Sequence, residues 1–111
     1  MAWHQLSTAS QVDEIWEKSF EQPQLFFKHS TRCSISSMAL RRFEMSNCQN
    51  NTAVDCHFLD LLNYRDISNY IAEKSGVMHQ SPQVIVVKNG KVILDESHGM
   101  IDGNEVIRKL A

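Results

Sequence analysis

Cys33 is the side chain of this sequence best suited to covalent chemistry. It follows an apolar run at positions 25–27 and precedes apolar residues that repeat at helical spacing between positions 35 and 43. A helix is therefore predicted to begin at about Cys33, and the unpaired backbone N–H groups of its first turn favour a thiolate over a thiol. Ser36 stands where a second thiol would be needed for an internal disulfide. The available chemistry is therefore attack on a disulfide by the single sulfur of Cys33. A thiol from outside the protein must then regenerate Cys33.

The other two cysteines are not expected to take part in this chemistry. Cys56 lies inside an apolar segment that predicts a buried strand, where a structural role is favoured. Cys48 lies in a polar connection beyond the predicted helix, so a disulfide from either residue to Cys33 would need rearrangement of the chain. An odd number of cysteines without an export signal indicates a reduced compartment and a reactive thiol.

The sequence predicts no metal site and no bound cofactor. Its five histidines show no ligand spacing. Cys56 and His57, as neighbours on a strand, would point to opposite faces of the sheet. His29 precedes the loop to Cys33 and is the one histidine that could tune the thiol, although a surface or hydrogen-bonded role is favoured for it.

Length and charge indicate a single globular domain, residues 1–111. The net charge is −2 and the only basic doublet of note is Arg41-Arg42, which argues against nucleic acid as a partner. No apolar run is long enough to cross a membrane, and the first residues lack the pattern of a signal peptide. We therefore expect a cytoplasmic monomer with no membrane association.

The elements that must position Cys33 are predicted in the order α-β-α-β-α-β-β-α. Gly76 is placed to end a helix, Asn89-Gly90 is a strong two-residue hairpin turn, and Asp102 with Glu105 resembles a capping box. The predicted helices span residues 7–20, 33–45, 64–75 and 102–110, and the predicted strands span residues 24–29, 53–61, 83–87 and 91–94.

This order predicts an α/β domain with a four-stranded mixed sheet and helices on both faces. A strand–helix–strand crossover makes two parallel strands with a right-handed connection, and the hairpin adds an antiparallel pair. Pro82 opens a strand, a position where its missing N–H is tolerated. A cis Ser81-Pro82 bond is plausible in this context.

Two segments of the chain resemble the thioredoxin fold. Residues 26–36 read Phe-Phe-Lys-His-Ser-Thr-Arg-Cys-Ser-Ile-Ser, and residues 76–92 begin with Gly-Val and continue with Ser-Pro-Gln-Val-Ile-Val-Val-Lys-Asn-Gly-Lys-Val from position 81. The second segment resembles the part of thioredoxins that carries the cis-proline and the following hairpin. The resemblance spans nearly the whole chain and implies a thioredoxin-like fold.

Within that superfamily the chain is most similar to the monothiol bacilliredoxins of the YtxJ type, whose active-site pattern is Thr-Cys-Pro-Ile-Ser. Cys33, Ile35 and Ser36 match this pattern, whereas Ser34 stands in place of proline and Arg32 in place of threonine. The resemblance implies a thiol-disulfide oxidoreductase that removes bacillithiol from S-bacillithiolated client proteins. Bacillithiol would then be a co-substrate.

The motif and the fold it implies also assign roles to residues of the site. Cys33 is the expected catalytic nucleophile. Ser36, the second expected catalytic residue, could hydrogen-bond the thiolate but could not resolve a mixed disulfide; the alternative is a plain first-turn helix residue. Arg32 could add a stabilising positive charge, and the backbone of Ser81 could pair with an extended client. The expected substrate-binding residues are Arg32, Ser34, Ile35, Ser81 and Pro82.

Two other functions stay open on the sequence alone. A monothiol glutaredoxin-like protein would use glutathione or carry an iron–sulfur cluster, but its usual sequence, Cys-Gly-Phe-Ser, differs from the Cys-Ser-Ile-Ser found at residues 33–36. A thioredoxin-fold binding module without turnover would leave Cys33 unreactive. The reactivity of Cys33 toward different disulfides distinguishes these three functions.

Overall fold

The computed structural model describes residues 3–110, which fold into helices packed on both faces of a mixed sheet. The strands are β1 (Trp3–Gln5), β2 (Gln24–His29), β3 (Asp55–Asp60), β4 (Gln83–Lys88) and β5 (Lys91–Ser97). The α-helices are α1 (Ala9–Lys18), α2 (Ser34–Met45), α3 (Arg65–Ser75) and α4 (Gly103–Leu110), with short 3-10 helices at Cys48–Asn50 and His98–Met100.

The sheet has five strands in the order β1-β3-β2-β4-β5. Strands β1 and β2 run parallel to β3, while β4 runs antiparallel to β2 and β5. The predicted α/β architecture with a thioredoxin-like mixed sheet is confirmed, but the predicted number of four strands is wrong.

The missed strand, β1, is an edge strand of only three residues. A segment this short does not show the alternation of apolar and polar side chains by which a strand is recognised. Its one large apolar side chain, Trp3, packs against the rings of Phe27, Phe43 and Phe58 at centroid distances of 5.8, 5.6 and 5.7 Å. The indole N–H of Trp3 donates to Glu44 Oε2 at 2.9 Å. Tertiary packing, rather than local pattern, therefore holds this strand in place.

Strand β2 lies at the centre, with all six of its residues buried. Its side chains alternate between two apolar cores, so Phe27 faces α2 and α4 whereas Phe26 faces α1 and α3. The core under α2 and α4 includes Leu25, Phe27, Ala39, Phe43, Val84, Val86 and Val106. The core under α1 and α3 includes Val12, Ile15, Phe26, Leu59, Ile67, Ile71, Ile85 and Val87.

The turn residues behave as their types predict. Gly76 ends α3 in the left-handed conformation, with φ of 74°. Asn89 and Gly90, with φ of 54° and 74°, connect β4 to β5 as a two-residue hairpin. The ring of Phe20 lies against Gly90, only 2.7 Å from where a Cβ atom would be, so a larger residue would have to displace the ring. No helix formed by residues 3–110 is long and apolar enough to cross a membrane.

We expect the substitution Trp3→Ala to destabilise the domain by about 2–3 kcal/mol, because it removes an aromatic ring from the core under α2. Urea unfolding followed by circular dichroism measures this loss. Met45→Ala is the matched control: Met45 is 81% exposed, and its truncation should change the free energy of unfolding by no more than ~0.5 kcal/mol. Equal stability of the two variants would show that β1 does not contribute to the fold.

Candidate active site

Cys33 lies at the junction of the β2–α2 loop with the helix. It is the N-cap residue of α2, with an extended backbone at φ −110° and ψ 119°, and its side chain makes no capping hydrogen bond. Its backbone N–H donates to Ser30 O at 3.2 Å, and its carbonyl oxygen accepts from the Ser37 N–H at 3.1 Å. The thiol is partly exposed. A thiolate here would stand where an N-cap side chain normally accepts from the first-turn N–H groups, and that turn carries no acidic residue.

Ser36 is fully buried in the first turn of α2, and its hydroxyl closes the loop from inside. Ser36 Oγ accepts from the Ser30 N–H at 3.0 Å and forms a hydrogen bond with His29 Nδ1 at 2.7 Å. Within residues 3–110 no hydrogen bond joins Ser36 to Cys33. A bond from this hydroxyl to the thiolate stays a prediction, whereas its contact with the loop is a structural role that the sequence did not indicate.

His29 ends β2 and is 6% exposed. Burial lowers the pKa of its imidazole, although the charges of Asp60 and Glu44 and a backbone hydrogen bond with Ser36 oppose this effect. His29 is therefore neutral at pH 7. It reaches the loop of Cys33 through Ser36, so it supports the conformation of the loop rather than adding positive charge to the thiol.

Ser81 and Pro82 lie at the same end of the sheet as Cys33. The ladder between β2 and β4 ends where Lys28 pairs with Gln83, so Ser81-Pro82 comes directly beyond it, beside the loop. The Ser81-Pro82 bond is cis, as the sequence suggested. The hydroxyl of Ser81 is buried and has no hydrogen-bond partner among residues 3–110. The structure thus brings together the two segments that the resemblance assigned to one site.

The other predicted binding residues surround the thiol on the surface. Arg32, Ser34 and Ile35 are all exposed. Ile35 is 57% exposed and Met38, one helical turn further, is 65% exposed. Large apolar side chains left in water at this end of α2 form a surface that a partner could cover.

Lys28 is a feature of this region that sequence reasoning missed. It is fully buried in β2, where its Nζ donates to Ser68 O at 3.1 Å and lies 3.3 Å from His79 Nδ1. His79 Nδ1 also forms a hydrogen bond with Ser68 Oγ at 3.0 Å. Burial lowers the pKa of Lys28 to about 8. The cluster ties the segment before Ser81 to β2 and α3. The one feature of the sequence that could have indicated this buried cluster is a lysine inside an apolar strand segment.

We expect Lys28→Met to stabilise the protein at pH 7 by about 1–3 kcal/mol, because it removes a charge that is costly to bury. The pKa of Lys28 is about 8 in the folded state against an ordinary 10.5. The unfolded chain therefore binds more protons between these values, and wild-type stability should rise as the pH rises through that window. The advantage of the variant should shrink accordingly, as measured by urea unfolding at pH 7 and pH 10.

Lys88→Met is the control for this comparison, because Lys88 lies exposed at the end of β4. It should leave both the stability and its pH dependence unchanged. A Lys28→Met protein that is less stable than the wild type at pH 7 would mean that the bonds to Ser68 and His79 outweigh the cost of burial.

Between residues 3 and 110 no group of three or more His, Cys, Asp or Glu side chains is arranged to hold a metal ion. What the arrangement around Cys33 can do chemically is nucleophilic attack by a single thiol on a disulfide presented at the surface.

Comparison with known proteins agrees with this chemistry. A model of the family described as monothiol bacilliredoxin BrxC matches residues 4–106. A solved candidate oxidoreductase with a thioredoxin fold is 28% identical, with a TM-score of 0.84 over 99% of this chain and 95% of that chain. The reduced thioredoxin pre-protein of Schistosoma mansoni is 17% identical, with a TM-score of 0.73 and 100% of both chains covered.

Thioredoxin from Fasciola hepatica is 14% identical, with a TM-score of 0.70 over 96% of this chain and 95% of that chain. At such low identity the two thioredoxins show the fold alone. The family match is stronger evidence of relationship, because it extends over nearly all of the chain and includes both the β2–α2 loop and the segment of the cis-proline. The chain therefore belongs to the monothiol bacilliredoxin family, which supports a thiol redox role.

Proposed function

We propose that this protein reduces mixed disulfides between bacillithiol and protein cysteines, with Cys33 as the nucleophile. The observation that carries the proposal is the setting of Cys33: a partly exposed thiol at the N-cap of α2, with a serine three residues further on. The other two cysteines are buried. One sulfur can therefore attack a disulfide at the surface, and no second thiol stands beside it.

The first step is an exchange of disulfide partners. The Cys33 thiolate attacks the bacillithiol sulfur of the client's mixed disulfide, a sulfur–sulfur bond forms to Cys33, and the client's cysteine leaves as a thiolate that takes up a proton from water. No net oxidation occurs, because one disulfide replaces another. Helix N-terminal N–H groups favour the attacking thiolate, and Arg32 would add a positive charge next to it.

The second step regenerates the thiol. A free thiol from outside, such as a second bacillithiol or the thiol of a reductase, attacks the bacillithiol sulfur of the adduct on Cys33. Cys33 leaves as a thiolate, and the two outside sulfurs form the new disulfide. An attacking thiol must remain reduced between cycles, so we place this activity in the cytoplasm, where thiols are kept reduced.

The client would be held by the surface around the thiol. The backbone of Ser81, beside the loop of Cys33, would pair with an extended client segment in the manner of strand addition. Ile35 offers an exposed apolar side chain for the client's neighbouring residues. Ser34 and Pro82 complete the proposed contact surface, and the client protein supplies the sulfur that is released.

The test compares two low-molecular-weight disulfides. We expect bacillithiol disulfide to form a rapid adduct on Cys33 of the reduced protein, and glutathione disulfide to react more slowly, as read by intact mass and by mapping of the modified cysteine. Cys33→Ala is the control and should form no adduct with either. Equal or preferred reaction with glutathione would assign the protein to a glutaredoxin-like function, and no adduct on Cys33 would favour a binding module without turnover.

A second prediction concerns Ser36. We expect Ser36→Cys to lose the bacillithiol adduct from Cys33 and to form an internal disulfide instead, because the first turn of α2 brings the two positions close together. Intact mass of the protein after reaction with bacillithiol disulfide distinguishes the adduct from the internal disulfide. The substitution also removes the hydroxyl bonds to the loop, so we expect a loss of stability of about 1–3 kcal/mol.

Ser36→Ala is the matched control for this experiment. It removes the same hydroxyl from the loop without supplying a second thiol, so the adduct on Cys33 should persist. If the adduct persists equally in Ser36→Cys, then the serine at position 36 is not what keeps this site monothiol.

A further inference from the structure

The two buried cysteines lie together at the far end of α2 from Cys33. Cys48 begins the 3-10 helix that follows α2, and Cys56 is the second residue of β3. They are 0% and 1% exposed and share one apolar core. The sequence suggested a polar loop for Cys48, but the structure buries it.

The contact between them is direct. The thiol of Cys56 donates to the carbonyl oxygen of Cys48, with a sulfur–oxygen distance of 3.7 Å. Interaction with Cys56 lowers the pKa of the Cys48 thiol, whereas interaction with Cys48 and burial raise the pKa of the Cys56 thiol. The sulfur of Cys56 therefore lies in contact with residue 48, as a disulfide between the two side chains would require.

The backbone on both sides of the contact is held in place. The Cys48 N–H donates to Ser46 Oγ at 3.2 Å, and its carbonyl oxygen accepts from the Asn51 N–H at 3.0 Å. Cys56 is paired on both edges of β3, opposite Trp3 and Leu25. The contact between the two residues is therefore fixed by the packing of the 3-10 helix against β3.

We propose that Cys48 and Cys56 form a second redox pair, which closes to an intramolecular disulfide when a small neutral oxidant of the peroxide class reaches the core. Cys33 takes no part in this reaction. Bulky disulfides are excluded by burial, so the pair responds to a different class of oxidant from the one that Cys33 meets at the surface. The inference does not depend on the identity of the thiol that Cys33 exchanges.

The chemistry balances with hydrogen peroxide. The Cys48 thiolate attacks one peroxide oxygen, which gives a sulfenic acid and releases hydroxide; the hydroxide becomes water by taking up the thiol's proton. The Cys56 sulfur then attacks the sulfenic sulfur, the sulfur–sulfur bond forms, and a second water leaves. Two thiols lose two electrons and two hydrogens, and one peroxide is reduced to two waters.

Cys48 is the residue expected to react first, because its interaction with Cys56 lowers the pKa of the Cys48 thiol. Both side chains are buried, so the oxidant enters during local opening of the 3-10 helix and its neighbouring loop. The pair should consequently oxidise more slowly than Cys33. The bridge would join the segment following α2 to β3 and should raise the thermal midpoint of unfolding, because a closed loop restricts the unfolded chain.

The experiment uses Cys33→Ser, in which the surface thiol cannot interfere. The folded protein is treated with hydrogen peroxide, free thiols are alkylated under denaturing conditions, and intact mass is measured. We expect loss of two hydrogens and no alkylation of Cys48 or Cys56. Digestion with trypsin and an Asp-specific protease separates residues 43–54 from residues 55–59, and these two peptides should be found linked until a reductant is added.

Cys33→Ser combined with Cys56→Ser is the matched control, in which Cys48 remains and no linked peptide should form. Should that variant fail to fold, the wild-type protein gives the same answer, because the digest places Cys33 on a third peptide, residues 33–41. The proposal is overturned if both buried thiols stay free while Cys33 is fully oxidised. Overoxidation of either sulfur without a link, a link between two molecules, or a link to Cys33 would overturn it equally.

Discussion

The position of the reactive thiol depends on one fully buried strand. All six residues of β2 are buried, since helices cover both of its faces and β3 and β4 pair with its two edges. Such a strand cannot slide, because a shift of one residue would exchange the side chains that face the two cores. The loop after His29 therefore starts at a fixed point, and α2 begins at Ser34. The packing of the sheet, rather than the loop itself, therefore fixes the position of Cys33.

Buried polar groups at the end of β2 complete this constraint. A polar group removed from water is costly unless it finds a partner. On one face of the sheet the Ser36 hydroxyl forms hydrogen bonds with His29 Nδ1 and with the Ser30 N–H. On the other face Lys28 Nζ lies 3.3 Å from His79 Nδ1. These bonds attach the loop of Cys33 and the segment of the cis-proline to the same strand end. Buried polar contacts thus hold together the loop of Cys33 and the segment of the cis-proline, which are distant in sequence. The apolar side chains around the thiol take no part in these contacts and stay exposed at the surface.

Local pattern predicted most of the fold, and tertiary contacts explain the errors. Apolar periodicity located the helices and the four longer strands, but β1 has no pattern of its own. Only half of the predicted capping box at Asp102 forms, because its carboxylate accepts from the Asn104 N–H at 2.9 Å. The reciprocal bond from Glu105 is missing: the Asp102 N–H donates to Glu96 Oε1 at 3.3 Å, and the carboxylate of Glu105 pairs with Arg108. At the site, the sequence identified Cys33 through its junction of strand and helix. It held no signal for the direction of the Ser36 hydroxyl, which depends on how α2 packs.

Ser34 is the first residue of α2, at the position where the resemblance to the bacilliredoxin motif leads one to expect proline. Proline suits the first helical position because it fixes φ and lacks an N–H that would have no intrahelical acceptor. Serine gives up the fixed φ but keeps that N–H, which adds a donor to the first turn beside the Cys33 sulfur. Two hydrogen bonds close the loop before α2, from the Cys33 N–H to Ser30 O and from the Ser30 N–H to Ser36 Oγ. These bonds hold the backbone of the loop at both ends, so its conformation is fixed by hydrogen bonds and not by a proline ring.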